Sequence, residues 1–271
     1  MHPVLFKIGI FEVRAFGALL ALSFLLGIFL CIKRAKKVGV NPKFIMDVAL
    51  VVLFSSLIGS RFFYVIFHLE EFKGHGADVF NPFQSTGEFG IAGLSMLGGV
   101  ILAIISGIIY ILLKKQPLWK IADILAPSFV LGIGITRIGC FLNGCCFGEP
   151  TKSSLGVVFP PDCAAGFTFT NVPLYPTQLF SSFKGFLIFF ILVFLERYKK
   201  FDGYTFWLML ILFSAGRIIV DFFRYYEPSM SLSIFGATLS VNQVILIFVF
   251  LFSCFMWFLL KKKAQTGRRF K

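Results

Sequence analysis

Apolar residues in this chain run in long unbroken blocks rather than in the one-sided stripes of a soluble fold. A block of about 18 or more such residues is long enough to cross a bilayer as a helix. Seven blocks meet that description, at residues 15–32, 48–67, 90–113, 121–142, 179–195, 203–223 and 234–260. The pattern predicts an all-α integral membrane protein of about seven transmembrane helices, forming a single polytopic domain over residues 1–271. The first block is followed by basic residues rather than a small-residue cleavage site, so it is expected to be retained.

Polar residues between the blocks set the orientation. Basic side chains gather in alternate connections: Lys33, Arg34, Lys36, Lys37 and Lys43; Lys114, Lys115 and Lys120; Arg197, Lys199 and Lys200; and Lys261, Lys262, Lys263, Arg268, Arg269 and Lys271. The opposite connections hold mainly Lys7, Lys73 and Lys152 among seven acids, Glu70, Glu71, Asp78, Glu88, Glu149, Asp162 and Glu227. Basic residues stay on the cytoplasmic side, which places the N-terminus outside and the C-terminus in the cytoplasm. Two outer connections are long, 67–89 and 143–178. The second, rich in Gly, Pro, Ser and Thr, is expected to form a small extracytoplasmic head between spans four and five, with strand-like stretches at 156–159 and 167–170.

Composition agrees: 58% of residues are hydrophobic, 14% are charged, and 38 are Phe. The formal charge of +13 follows the topology of the loops and is no nucleic-acid patch.

Ionisable residues inside a membrane are costly and point to function. Counted from the cytoplasmic edge at about 1.5 Å per residue, Arg61 lies about 27 Å up, Arg137 about 25 Å and Arg217 about 21 Å. In a core of about 30 Å all three reach the outer half. Arg217, Asp221 and Arg224 are spaced to share one helical face. An Asp between two arginines can hold them while leaving donors for an anion, and the planar guanidinium fork suits phosphate. Interfacial snorkelling or structural pairing is the alternative for each arginine, and Arg61 serves equally well as a brace. Arg137 and Arg217 together favour a phosphate site.

The stretch Arg137-Ile-Gly-Cys-Phe-Leu-Asn-Gly-Cys-Cys-Phe-Gly148 places an arginine at the mouth of a glycine-rich turn, with Asn143 able to donate and accept. Here the sequence resembles the bacterial prolipoprotein diacylglyceryl transferases. Their signature runs Gly-Arg-x-Gly-Asn-Phe-x-Asn-x-Glu-x-x-Gly, and this chain keeps Arg137, Gly139, Phe141, Asn143 and Gly148. The resemblance extends to His2-Pro-Val-Leu-Phe with Ile8-Gly9, Arg61-x-x-Tyr64, Asp123-x-x-Ala126-Pro127, Tyr175-Pro-Thr-Gln-Leu179 and Arg217-Ile-Ile-Val-Asp-Phe-Phe-Arg224.

It implies a multi-pass protein of the bacterial cytoplasmic (inner) membrane that moves the diacylglyceryl group of phosphatidylglycerol to the lipobox cysteine of a prelipoprotein signal peptide. Glycerol phosphate is released, and no metal or nucleotide cofactor takes part. Arg137 and Arg217 would be catalytic, stabilising the departing phosphate. Arg137, Asn143, Gly148, Arg217, Asp221, Arg224, Arg61 and Tyr64 would line the substrate site.

The chain departs from the family pattern at several points. Leu97 stands where the family has His in Gly-Gly-Leu-x-x-His-Gly-Gly, Cys140 replaces Asn, Cys145 replaces Glu, and Thr136 replaces Gly. Tyr175 stands for His, Phe16 and Phe213 for Tyr, and Asp221 for Glu. These changes remove the family's candidate proton acceptors and several hydroxyls. Either the base is dispensable, or the chain is a non-catalytic or differently specific paralogue that binds anionic lipid. A transporter is a third reading, weakened by the absence of a midplane helix break.

Cys31 and Cys254 read as apolar fillers. Cys140, Cys145, Cys146 and Cys163 read first as disulfide or packing residues, with metal binding and catalysis as lesser options; their spacing matches no established zinc motif. His2, His68 and His75 are terminal or in the first outer loop; His68 reads first as an interfacial structural residue, with a substitute base as the alternative.

Overall fold

The computed structural model describes residues 4–8, 11–72, 93–226, 231–234 and 237–269. His2, His75 and most of the first long connection, together with the start of the third predicted block, lie outside the described residues. Among the described residues, seven helices are long and apolar enough to cross a membrane: α1 (Ala15–Lys37), α2 (Pro42–Phe67), α3 (Met96–Leu113), α4 (Leu118–Leu142), α6 (Thr177–Leu195), α7 (Tyr204–Asp221) and α8 (Val241–Arg269). Their apolar side chains point outward as well as inward. Phe29, Phe54, Phe190 and Phe248 are each more than half exposed, as befits surfaces that face lipid rather than water.

Several helix ends differ from the apolar blocks. α1 runs on to Lys37 because basic residues are well placed in a last turn. α2 starts at Pro42 rather than at 48: Asn41 Oδ1 accepts from Lys43 N at 2.9 Å, and Pro occupies the first turn. α8 starts at Val241 rather than at 234, since the alternating stretch before it forms a hairpin of β5 (Ser231–Ile234) and β6 (Ala237–Ser240). A second hairpin, β1 (Val4–Ile8) with β2 (Phe11–Arg14), precedes α1.

The chain divides into two units. One comprises Met1–Cys31 and Ala122–Lys271. Its core is built by α4, α6 and α7 through Ala126, Val130, Ile188, Leu192 and Met209. A Cβ on Gly185 would lie 2.9 Å from the backbone of Gly134, so α4 and α6 approach at contact distance, and Ser182 Oγ donates to Gly134 O at 2.7 Å. Asp123 of α4 caps the start of α7, accepting from Gly203 N and Phe206 N, both at 2.8 Å.

Residues 143–178 form a small folded insertion within this unit. β3 (Val157–Val158) falls in the expected strand at 156–159 and pairs with β4 (Pro173–Leu174). The expected strand at 167–170 is not one: α5 (Ala164–Thr168) occupies it, with Phe167 N and Phe169 N donating to the carbonyls of Cys163 and Ala165. That turn tucks Ala165 beneath Phe159 and Leu174 in the insertion's own core. Local strand propensity loses there to burial.

The other unit, Ile32–Ile121, is built on α2 and α3. These cross where Gly59 and Gly98 meet; a Cβ on either would fall within 2.5 Å of the other's carbonyl oxygen.

Candidate active site

α4 carries Arg137 one turn before its end, and the chain then turns through Asn143 and Gly144. Asn143 N donates to Gly139 O at 3.0 Å, closing the helix, while the Asn143 side chain lies against the Cys145 thiol. The following backbone is clamped. Gly148 N donates to Tyr175 O and Glu149 N to Phe223 O, both at 3.0 Å, and Gly148 forms a β-bridge with Arg224. A Cβ on Gly148 would fall 2.4 Å from Phe223 O and 2.6 Å from Tyr175 O, so only glycine fits this crossing. The Gly148 N–H is thus spent inside the protein.

α7 supplies Arg217 and Asp221. They pair at 3.1 Å, with side chains 12% and 0% exposed, as their four-residue spacing predicts. Arg217 Nη2 also donates to the Tyr226 hydroxyl at 3.3 Å. The other carboxylate oxygen of Asp221 accepts from Asn242 Nδ2 on α8. Arg224 does not continue that helical face. α7 stops at Asp221, and Arg224 lies in the bridge to Gly148 with its guanidinium 5.2 Å from the Tyr226 ring. Pairing with the loop after α4 replaces the last helical turn. Burial raises the Tyr226 phenol above its ordinary value, while Arg224 and Arg217 pull the other way.

Lys184 of α6 is a site residue that the sequence reading missed. It is 8% exposed, with its Nζ 4.3 Å from the Phe213 ring centroid. Its stem lies over Gly216, where a Cβ would come within 2.7 Å. Arg217, Arg137 and Asp221 are all within electrostatic reach of it. The available signal was a lone lysine in the middle of an apolar block.

Arg137, Lys184, Arg217 and Arg224 therefore form one cationic group. Asp221 is the carboxylate that offsets Arg217 and Lys184. In low-dielectric surroundings a surplus of that kind favours an anionic ligand.

Arg61 and Tyr64 belong to the other unit. Arg61 is 4% exposed; it donates to Gly93 O at 3.1 Å and lies 5.8 Å from the Tyr64 ring. The geometry is that of a brace for the chain entering α3. His68 stacks on Tyr64 at 4.2 Å and contacts Tyr64 O through Nδ1. Leu97, at the start of α3, is 60% exposed.

All six cysteines are among the described residues, and none forms a disulfide. Hydrogen bonds with the Cys140 and Cys145 thiols hold the Cys146 thiol below its ordinary value; Arg224 and Arg137 add to this and burial opposes it.

Comparison with known proteins agrees with these motifs. The sequence model of the family described as prolipoprotein diacylglyceryl transferase matches residues 3–259. A phosphatidylglycerol–prolipoprotein diacylglyceryl transferase of Clostridium tetani is 34% identical over 257 residues, covering 95% of this chain and 97% of its own length. Similar proteins of that name occur in Clostridium perfringens (30% identical, 99% of this chain and all of its own) and Campylobacter hominis (30%, 99% and 94%). With full-length kinship, seven membrane-length helices and the signature arginine at the gathered site, the chain belongs to the prolipoprotein diacylglyceryl transferase family and is a multi-pass membrane transferase.

Proposed function

We propose that this protein transfers the diacylglyceryl group of phosphatidylglycerol to the lipobox cysteine thiol of a prelipoprotein signal peptide, the first step of bacterial lipoprotein maturation. It acts in the bacterial cytoplasmic membrane, with the N-terminus and residues 143–178 outside and the C-terminus in the cytoplasm. Its 271 residues work as one polytopic domain with that insertion, and nucleic acid has no part.

The observation that carries this reading is the cationic group of Arg137, Lys184, Arg217 and Arg224 on elements of one unit. The acceptor sulfur attacks the glyceryl carbon that bears the phosphate. As the C–O bond breaks, charge grows on the departing glycerol phosphate, where Arg137 and Arg217 stabilise it. Asp221 holds Arg217 in place for this, and Asn143 and Gly148 shape the turn beside it. Arg61 and Tyr64, in the other unit, order the entry to α3.

A second reading is favoured by Leu97, Tyr175 and Phe213, which stand where the family has His, His and Tyr. It makes the chain a transferase with an altered lipid donor or acceptor. Complementation of a strain depleted of its own transferase, together with transfer by purified protein from phosphatidylglycerol to a lipobox peptide, tests the first reading. Success in both is expected. Failure of both would remove the phosphatidylglycerol-to-lipobox assignment.

A further inference from the structure

The turn after α4 carries three thiols that the phosphate chemistry does not use. The helix closes with Cys145 N donating to Cys140 O and Gly144 N to Phe141 O, both at 3.1 Å, while Gly144 takes a left-handed φ of 65°. An ending of that kind folds the residue after the left-handed one back onto the last helical turn, which returns Cys145 to Cys140. Cys146 joins them, and the three Sγ atoms all lie within 4.8 Å of one another. Helix α6 fixes the backbone that presents them: Thr177 Oγ1 donates to Cys146 O at 2.9 Å, and Gln178 Nε2 to Cys145 O at 2.8 Å. Cys146 has a φ of 59°, a left-handed conformation that side chains other than glycine rarely adopt.

The thiols differ in exposure and in charge. Cys140 is buried, whereas Cys145 and Cys146 are half-buried. Hydrogen bonds with its two neighbouring thiols favour the ionised form of Cys146, and Arg224 and Arg137 add to this. A partly open thiolate in an electropositive setting, with a further thiol beside it, is the form that reacts with peroxides. Cys140 is the partner suited to resolve the product, because a disulfide between the adjacent residues Cys145 and Cys146 would close a strained ring.

We propose that Cys146 is a modification site for hydroperoxides, resolved by Cys140 as a disulfide that switches the site off reversibly. The modification rests on the turn alone, and its effect on activity rests on the transferase reading. The Cys146 sulfur attacks one peroxide oxygen, the O–O bond breaks, and the other oxygen leaves as hydroxide and is protonated to water. The sulfenic acid left on Cys146 then meets the Cys140 thiol. Their S–S bond forms as the S–O bond breaks, and the departing hydroxide takes the Cys140 proton to leave as water. The thiols lose two electrons and the peroxide gains them; a dithiol reductant reverses the change. Closing the bond draws Cys146 toward the end of α4. Gly148, two residues on, is bridged to Arg224, so the pull reaches an arginine of the cationic group.

The test uses the full-length protein in detergent, reduced, freed of reductant and treated with hydrogen peroxide. Thiol labelling and peptide mass spectrometry should find a Cys140–Cys146 link. In Cys140→Ser, which lacks the resolving thiol, dimedone should trap a sulfenic acid on Cys146. Transfer from phosphatidylglycerol to a lipobox peptide should fall by about 10²-fold, the scale for a displacement of about 1 Å at a reacting site, and return with dithiothreitol. Cys146→Ser should transfer normally before and after peroxide, whereas Cys254→Ser should stay as sensitive as the unaltered chain.

A trio that stays reduced under peroxide would overturn the inference, and so would a Cys140–Cys146 disulfide in fully active protein. Equal sensitivity in Cys146→Ser would do the same. Each of these leaves the transferase reading standing. Absence of transfer by the reduced, unaltered chain would count against the transferase reading instead, and the labelling result would still decide whether Cys146 is the peroxide-reactive thiol.

Discussion

The two ends of the α4 and α7 helices treat buried charge in opposite ways. At the starting ends, Asp123 accepts from Gly203 N and Phe206 N and pairs with Lys199 at 2.9 Å; Lys199 also pairs with Asp202 at 2.9 Å. Burial pulls the Lys199 ammonium down, but hydrogen bonds to Asp202 and Asp123 outweigh it and leave its pKa raised. Asp123, Lys199 and Asp202 pair with one another there, and the arrangement caps a helix whose first N–H groups have no partner within it. At the far ends, Arg137, Lys184, Arg217 and Arg224 gather together, and Asp221 offsets Arg217 and Lys184. Matched charge serves the fold, while surplus charge of one sign serves a ligand.

Substitutions at the two ends should separate in what they damage. The largest effect is expected from Arg137→Ala or Arg217→Ala, each lowering transfer by about 10²–10³-fold, the scale for loss of a donor that stabilises developing charge. Lysine should restore little, because it lacks the planar fork. Unchanged turnover in either alanine variant would contradict the phosphate role. Next in size is Lys184→Met, expected to raise the KM for phosphatidylglycerol by about tenfold with little change in melting temperature, since a charge-assisted hydrogen bond is worth about 1.5–3 kcal/mol. A change in stability without a change in KM would make Lys184 structural. The smallest is Asp123→Ala at the matched end. It should cost about 1–2 kcal/mol of stability through loss of the cap, seen as a lower melting temperature in detergent with KM unaltered. An effect of Asp123→Ala on KM at intact stability would erase the distinction between the ends.

Much of this was legible in the chain itself. The seven apolar blocks correspond to the seven membrane-length helices because a span needs only length and hydrophobicity. The Arg217–Asp221 pair was equally local, since four residues on one helix are always neighbours. The motif around Arg137 was visible as an arginine followed by a run of turn-forming glycines.

What escaped depended on partners far along the chain. Arg224 leaves the helical face because its backbone bridges to Gly148, a residue remote in sequence. Residues 164–168 turn helical to bury Ala165 against Phe159 and Leu174. Lys184 joins the cations because Gly185 lets α6 close on α4 at Gly134. The cysteine trio matched no metal motif by spacing, and Thr177 and Gln178 of α6 fix the turn that brings its sulfurs together. Sequence alone determined what had to lie in the membrane and which residues were too polar to lie there idly, because both follow from transfer free energies of single segments. Tertiary structure decided which of those residues meet, because that depends on backbone hydrogen bonds and close helix contacts between segments that no local pattern encodes.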